Sequence, residues 1–453
     1  SSVIPSINLA LFSLTFGKSV KALHHGELAL YPYPSVKTFD GRAANRPWMQ
    51  ELSDPITQAV WGAWAELHPD TAKDLGIAQG DAVIVRTDNG EVHLPAYVTE
   101  HVHAGIVAIP FGQGHSAYGR YAQNSGQGGS VYSLLSKGLA RGVDTLAFTG
   151  GAVKVMRGLG SGNLVVTQEF SSQEGRELAR TTIITGKAAA HAHGDEHAAG
   201  YGEHHEPKQM YEQREHPLYQ WGMTIDLAAC TGCSACVVAC SAENNIPVVG
   251  KKVVSQGREM AWIRIERYYD KIKTEDGGEE LKVSFMPMMC QHCQNAPCEP
   301  VCPVYATYHN EEGMNAMVYN RCVGTRYCAN NCSYKVRRFN WFQYEWPELL
   351  DWQLNPDVTK RTAGVMEKCS FCVQRIVAGK DIAKDLGRMV EDGEITPACV
   401  QTCPTQALTF GNLKDPNSRV SKLAKHERAY KVLNHHLNTQ PSVSYLNDIR
   451  YKA

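Results

Sequence analysis

All fifteen cysteines of the chain lie between Cys230 and Pro404. The first group is Cys230, Cys233, Cys236 and Cys240, in CTGCSACVVAC. The second is Cys290, Cys293, Cys298 and Cys302, in CQHCQNAPCEPVCP. The third is Cys322, Cys328 and Cys332, in CVGTRYCANNC. The fourth is Cys369, Cys372, Cys399 and Cys403, in CSFC and later CVQTCP. A C-x2-C-x2-C-x3-C run wraps backbone around one face of a cluster, and soft thiolates suit iron–sulfur chemistry. In two-cluster ferredoxins the last cysteine of such a run ligates the other cluster, so runs work in pairs. Zinc knuckles and a disulfide framework are the alternatives. Zinc sites use two separated C-x2-C pairs or Cys/His mixtures, and disulfide frameworks belong mostly to short secreted chains. Four compact groups weigh against both.

Aligned with the first group, the third has Thr325 where the second ligand would stand. A hydroxyl of very high pKa is a poor iron ligand beside a thiolate. Losing that ligand drops one iron corner and predicts a [3Fe–4S] cluster. The alternative is that Thr325, a water or another side chain still holds a fourth iron. The expected content is three [4Fe–4S] clusters and one [3Fe–4S] cluster.

The chain around these thiols has 453 residues, enough for two domains or more. Its net charge of −1 gives no electrostatic case for nucleic acid. No apolar run approaches the length of a membrane span. The start, SSVIPSINLALFSLTF, is mildly apolar but lacks a basic n-region and a clear cleavage site, and is not read as a signal peptide.

Residues 1–40 are weakly patterned, with Leu9 to Phe16 a buried strand or simple packing. Residues 55–75 are predicted helical, because Val60, Trp61, Trp64, Leu67 and Leu75 fall at helical spacing and Pro69-Asp70 can restart the helix. A hairpin follows: Val83 and Val85, the Asn89-Gly90 turn, then Val92, Leu94 and Val98. Ile106 to Ile109 is a short strand closed by Pro110, and Thr145–Thr149, Leu164–Gln168 and Thr181–Ile184 are further strand candidates. Many short strands with Gly turns predict a small β-barrel. Residues 187–210, rich in Ala, Gly, His and Glu, read as a linker, although His191, His193, His197, His204 and His205 could bind a metal.

Beyond Trp221 the strands frame the cysteines. Met223-Thr224-Ile225-Asp226 leads into the first group as Val318-Tyr319 leads into the third, the mark of duplicated ferredoxin modules. Residues 261–268 and Val283–Met288 should pair across a turn at Glu275-Asp276-Gly277-Gly278. Residues 373–389 are predicted helical, with Val373, Ile376, Val377, Ile382 and Leu386 on the apolar side. Ala407–Phe410 is a closing strand, and the polar tail after Asp415 is expected to wrap the surface. The segment with Trp341, Phe342, Tyr344, Trp346 and Trp352 either docks a membrane partner or covers a cluster from solvent. Lys335, Arg337 and Arg338 read as solvated cations, with stabilisation of a reduced cluster as the alternative. No residue is a credible general base or nucleophile, and there is no C-x-x-C-H motif for a c-haem. The chain is expected to be a non-catalytic redox subunit.

Arg46-Pro47-Trp48, Asp54-Pro55, HPDTAKDLGIAQGDAVIVRTDNGEVHLPAYVT and GIVAIPFGQGH together resemble the C-terminal barrel domain of molybdopterin oxidoreductases. The domains that hold most of that cofactor have no counterpart here, so the resemblance implies a structural relic used for docking, with cofactor binding as the alternative, and no molybdenum is expected. Residues 221–420 resemble the four-cluster ferredoxin subunit found beside molybdopterin reductases. In that family the outer motifs share one module and the inner motifs the other. The resemblance then implies four ligand sets: Cys230, Cys233, Cys236 and Cys403; Cys240, Cys369, Cys372 and Cys399; Cys290, Cys293, Cys298 and Cys332; and Cys302, Cys322 and Cys328 for the three-iron cluster. Ser241 and Ser333 depart from the pattern, standing where a proline often follows the fourth cysteine.

The fusion of barrel and ferredoxin resembles the iron–sulfur subunit of alternative complex III, a bacterial quinol oxidase. That subunit is normally longer, so this chain would be its C-terminal half or a split form. The fold class implied is α+β: a double-psi-like barrel (1–186), the linker (187–215) and duplicated ferredoxin-like modules holding four clusters (216–453). The implied partners are an integral-membrane quinol-binding subunit, c-type cytochrome subunits and other subunits of a respiratory complex. The implied location is peripheral, on the extracytoplasmic face of the bacterial cytoplasmic membrane. Two other readings stay open: the electron-transfer subunit of a polysulfide or dimethyl sulfoxide reductase, and a non-redox scaffold with structural metal.

Overall fold

The Val83–Val98 pattern produces a hairpin in the computed structural model, with Asp81–Thr87 and Gly90–Val98 antiparallel and Val83 opposite Leu94. Val83, Val85, Val92 and Leu94 are all buried, as alternation with one covered face requires. The structure describes residues 27–123, 129–137, 146–147, 151–184, 212–273, 278–346 and 348–451. Leu9–Phe16, the 187–210 linker and most of the 275–278 turn lie outside them. The chain divides into two compact units: residues up to Thr167 with Gly250–Ser255, and Gln168–Val249 with residues from Gln256 onward.

In the first unit six strands close on themselves. Their order is Leu28–Pro34, Ile106–Phe111, Ala65–Leu67, Gly90–Val98, Asp81–Thr87, Gly151–Ser161, and back to Leu28–Pro34. Closure leaves no free sheet edge. Leu30, Leu67, Val85, Val107, Ile109 and Val153 form its core.

Two of these strands escape the sequence pattern. Leu28–Pro34 carries Pro32 and Pro34, which usually demote a strand, and Gly151–Ser161 contains three glycines. The helix expected over 55–75 shrinks to Pro69–Asp74, capped by the His68 side chain. Trp61 and Gly62 have positive φ, which breaks helical geometry, and Ala65–Leu67 becomes a barrel strand. A short apolar run fits either structure, and here tertiary pairing decides. Pro110 lies inside the Ile106–Phe111 strand rather than after it. Leu164–Gln168 makes only one isolated bridge, between Ala59 and Val166.

The second unit is built on a four-stranded sheet in the order Leu408–Asn412, Trp221–Asp226, Val443–Leu446, Ala429–Tyr430. The strand before the first cysteine group therefore pairs with the strand after the last, Ile225 opposite Leu408. The strand after the second group, Thr307–His309, pairs with the one before the third, Asn315–Met317. The outer groups share one module and the inner groups the other. The long hairpin Arg264–Lys273 with Glu279–Met288 keeps register from Arg264–Met288 to Lys273–Glu279.

The tail does not wrap the surface. Val443–Leu446 lies parallel to Trp221–Asp226 and is wholly buried, and the Tyr445 hydroxyl donates to the Pro287 carbonyl at 2.9 Å. Asp448–Tyr451 pairs with Thr181–Ile184, which draws residues 168–184 into this unit rather than the barrel. The helix Val373–Asp385 forms, but Ile376 and Ala383 face inward while Val373, Val377, Ile382 and Leu386 are exposed. Gly379 allows this packing, since a Cβ there would sit 2.5 Å from the Ile395 side chain.

Candidate metal centres

The cysteine groups sit on loops that turn through left-handed residues into short helices. In the first, Gly232 (φ 69°) and Ser234 (φ 61°) lead into the helix Ala235–Glu243, which carries Cys236 and Cys240 inward. A Cβ at Gly232 would lie 2.6 Å from the Phe285 ring, so the turn needs glycine for space as well as for φ. In the third, Gly324 (φ 74°) and Arg326 (φ 60°) lead into the helix Tyr327–Asn331 with Cys328 buried. The backbone repeats residue for residue, and Thr325 occupies the place of Cys233.

The far ends of the groups repeat as well. Three residues beyond Cys302 and Cys403, Tyr305 (φ 51°) and Gln406 (φ 54°) are left-handed. The next amide donates back to the thiol: Ala306 N to Cys302 Sγ at 3.1 Å, and Ala407 N to Cys403 Sγ at 3.3 Å.

The thiols gather in sets that cross between groups. Burial pushes the Cys230 thiol up to about 11, with Cys403 and Cys233 adding to the effect. Cys236 is raised by burial and then by Cys230, Cys233 and Cys403. Cys240 is raised well above the free-thiol value by burial and then by Cys369, Cys372 and Cys399. These three, with Cys240 and Phe371, line a small cavity into which Asn244 Nδ2 points, 3.6 Å from Cys240 Sγ and 3.7 Å from Cys372 Sγ. Cys293 is raised by burial and then by Cys290, Cys298 and Cys332. Cys302, Cys322 and Cys328 line a small cavity together with Thr325 and Arg337. At Cys302 burial is outweighed by the backbone N–H groups of Ala306, Val304 and Thr307, and its pKa is lowered.

The sets follow one another. Cys240 and Cys399 feel the charge of Cys236, Cys369 feels Cys290, and Arg337 feels both Cys298 and Cys328. The order is thus the Cys230 set, the Cys240 set, the Cys290 set and the Cys302 set.

These residues fit iron–sulfur groups. Buried neutral thiols collected around a space are what cluster binding deprotonates. Among the described residues no three His, Cys, Asp or Glu side chains converge on a single ion. Among the described residues the Nε of buried Arg337 has no hydrogen-bond partner, while its Nη1 lies 3.4 Å from Cys298 Sγ. Burial works against the Arg337 charge, but Cys298, Cys328 and Cys290 more than offset it.

Arg337 is therefore not a solvated cation. Arg338 is half-buried and paired with Glu259 at 2.6 Å, and only Lys335 is exposed. Sequence reasoning missed Lys368 and His292, both buried beside cysteines. His292 stacks on Phe371 with ring centroids 4.0 Å apart. Burial, then Lys368, pushes its pKa well below the usual histidine value, so it is neutral. Their adjacency to Cys369 and Cys293 was the only available signal. In the aromatic segment Phe342 and Trp352 are exposed, whereas Trp341 packs edge-on against Phe339 beneath Arg326.

Comparisons with known proteins agree with both halves. Residues 229–306 and 281–347 each match a 4Fe-4S dicluster domain, and residues 39–146 match the "Molydopterin dinucleotide binding domain". The iron–sulfur cluster-binding subunit of menaquinone reductase from Nitratidesulfovibrio vulgaris is 42% identical over 50% of this chain and 89% of its own length. A putative dimethyl sulfoxide reductase iron–sulfur subunit from Halobacterium salinarum is 38% identical over 51% of this chain and 80% of its own. An iron–sulfur subunit of the Hdr-like menaquinol oxidoreductase from Archaeoglobus fulgidus is 35% identical over 53% of this chain and 86% of its own. Among solved structures, acetylene hydratase from Pelobacter acetylenicus overlaps 29% of this chain and 18% of its own, at 20% identity and a TM-score of 0.23, too slight a likeness to speak to the fold.

Proposed function

The chain belongs to the family of iron–sulfur subunits of menaquinone, menaquinol and dimethyl sulfoxide oxidoreductases, and on that premise we propose that it is the electron-transfer subunit of a membrane-bound, quinol-oxidising respiratory complex of the alternative complex III type. Three [4Fe–4S] clusters would be held by Cys230, Cys233, Cys236 and Cys403; by Cys240, Cys369, Cys372 and Cys399; and by Cys290, Cys293, Cys298 and Cys332. A [3Fe–4S] cluster would be held by Cys302, Cys322 and Cys328, with Thr325 at the missing corner. When bound, these groups supply one-electron relay from a quinol-oxidising membrane subunit toward c-type haem subunits. The protein's part is to hold the thiolates in sequence, exclude water and set potentials through charge and hydrogen bonds to sulfur. The carrying observation is the backbone repeat that puts Thr325 where Cys233 stands, among three thiols instead of four.

Among the described residues no helix is long and apolar enough to cross a membrane. We place the chain peripherally on the extracytoplasmic face, with the exposed Phe342 and Trp352 as docking residues. The first unit serves as a double-psi-like barrel without a molybdenum cofactor. A second reading, the electron-transfer subunit of a molybdopterin reductase, is favoured by the 39–146 match and by the dimethyl sulfoxide reductase relative. Molybdenum in the purified assembly would decide for it. The primary test is EPR of the oxidised protein with iron quantified. A three-iron signal and about 15 irons per chain are expected. An EPR-silent oxidised sample with a fourth iron at the Thr325 group would sink the reading.

A further inference from the structure

Among the described residues, Lys368 and Arg337 are buried cations beside the cysteines with no carboxylate hydrogen-bonded or ion-paired to them. Lys368 is 2% exposed, and its Nζ donates to the Cys369 carbonyl at 2.9 Å. It lies in the electrostatic field of Cys298 as well as of Cys369, hence between the Cys240 and Cys290 sets. Glu367, its sequence neighbour, is committed to Arg361 at 2.9 Å and to the Trp262 indole. Arg337 is 6% exposed and sits between the Cys290 and Cys302 sets. Its polar contacts include Cys298 Sγ, the Cys328 thiol, Asn315 Oδ1 at 3.3 Å and Met317 Sδ at 3.3 Å, none of them a carboxylate. Among the described residues neither cation has an acidic partner.

A buried cation without a counter-charge costs several kcal/mol even after the protein relaxes. Such residues persist only where negative charge is supplied. The thiolates of these sets are the negative charge within reach, and thiolate-ligated iron–sulfur groups are anions whose charge grows on reduction. In the outer Cys230 set the leading charges acting on Cys230 and Cys236 are those of other thiols.

We propose that Lys368 and Arg337 are fixed counter-charges wedged between successive clusters, and that they hold the clusters of the Cys240, Cys290 and Cys302 sets at higher potential than they would have without them. The Cys290 set, flanked by both cations, gains most, and the Cys230 set gains least. Each reduction adds one electron to a cluster and no proton, and neither side chain makes or breaks a bond. Lys368 and Arg337 are positioning residues for the relay, and the proposal rests on the cluster assignment above.

The test is a potentiometric titration of the full protein with dithionite, followed by EPR, with iron measured on every sample. Lys368→Met should lower the reduction equilibrium constants of the Cys240 and Cys290 clusters at least tenfold each, about 59 mV for a one-electron couple. It should leave the Cys230 cluster unmoved, and Lys368→Arg should restore wild-type values. Arg337→Gln should shift the Cys290 and Cys302 clusters by a similar factor, with Arg337→Lys restoring them. Full iron content with unshifted potentials, or equal shifts in the charge-keeping and charge-removing variants, overturns the proposal. If the charge-removing variants fail to load iron, the charge-keeping pair decides. Loading in Lys368→Arg and Arg337→Lys upholds a role for charge, and failure there assigns the residues to packing and overturns it. Wild-type protein without clusters would instead defeat the cluster assignment itself.

Discussion

Replacing Thr325 with cysteine should complete a fourth four-thiol set. The flanking residues Gly324 and Arg326 have φ of 74° and 60°, against 69° and 61° for Gly232 and Ser234 around Cys233. A side chain at 325 is therefore launched as Cys233 is, and Thr325 already lines the cavity with Cys302, Cys322 and Cys328. Threonine and cysteine are close in size, so little overpacking opposes the change. The expected gain is one iron per chain, from about 15 to about 16. In a metal assay that is a small step, but in the spectrum it is all-or-none. The oxidised three-iron signal should vanish in Thr325→Cys and a new signal appear on reduction. Thr325→Ser keeps a hydroxyl and should keep the wild-type spectrum. A Thr325→Cys protein with intact oxidised signal and unchanged iron would refute the reasoning, because a thiol launched into that corner could not leave it open.

Three further outcomes follow from local geometry. Burial pushes the Glu66 carboxyl up to about 7, against the opposing hydrogen bonds from the Tyr33 hydroxyl and the Trp64 indole N–H. A raised carboxyl binds its proton more tightly when folded, so stability present below the unfolded value near 4.5 is lost as pH rises through 7, by roughly 3 kcal/mol. Hydrogen exchange of the barrel amides near pH 5 and pH 8, corrected for intrinsic rates, should show this loss in the wild type and not in Glu66→Gln; equal losses in both would exclude Glu66 as the cause. Gly232→Ala combines a φ of 69° with a Cβ 2.6 Å from Phe285, and should cost about 1–3 kcal/mol and the iron of the Cys230 set first. Iron analysis and reduced-state EPR check it, and full loading would mean the loop has slack the structure does not show. Tyr445→Phe removes the donor to Pro287 O and the acceptor for Gln291 Nε2, and should destabilise the second unit by about 1–3 kcal/mol in denaturant titration while leaving the three-iron signal intact.

What could be read from the sequence depended on whether a constraint is local. Ligand spacing is local, so the cysteine groups, the Thr325 gap and the barrel hairpin were all legible. One-sided burial is nearly so, because it imposes alternation on strands such as Asp81–Thr87. Val443–Leu446 is buried on both faces and has no alternation, so the centre of a sheet looked like a wrapping tail. Leu28–Pro34 is a strand despite two prolines because a closed sheet supplies its partners from residues 106–111 and 151–153, far along the chain. The buried cations are the extreme case. Lys335, Arg337 and Arg338 lie within four residues and look alike in sequence, yet one is exposed, one is paired with Glu259, and Arg337 alone faces thiols from two sets. Nothing in the segment distinguishes them, since the difference comes from Cys298 and Cys328, which are brought to Arg337 only when the second and third cysteine groups fold into one module. Charge placement is thus a consequence of the same crossing that pairs the cysteine groups. A substitution that loosens the Thr307–His309 and Asn315–Met317 pairing should therefore disturb the potentials of the inner clusters before it removes any ligand.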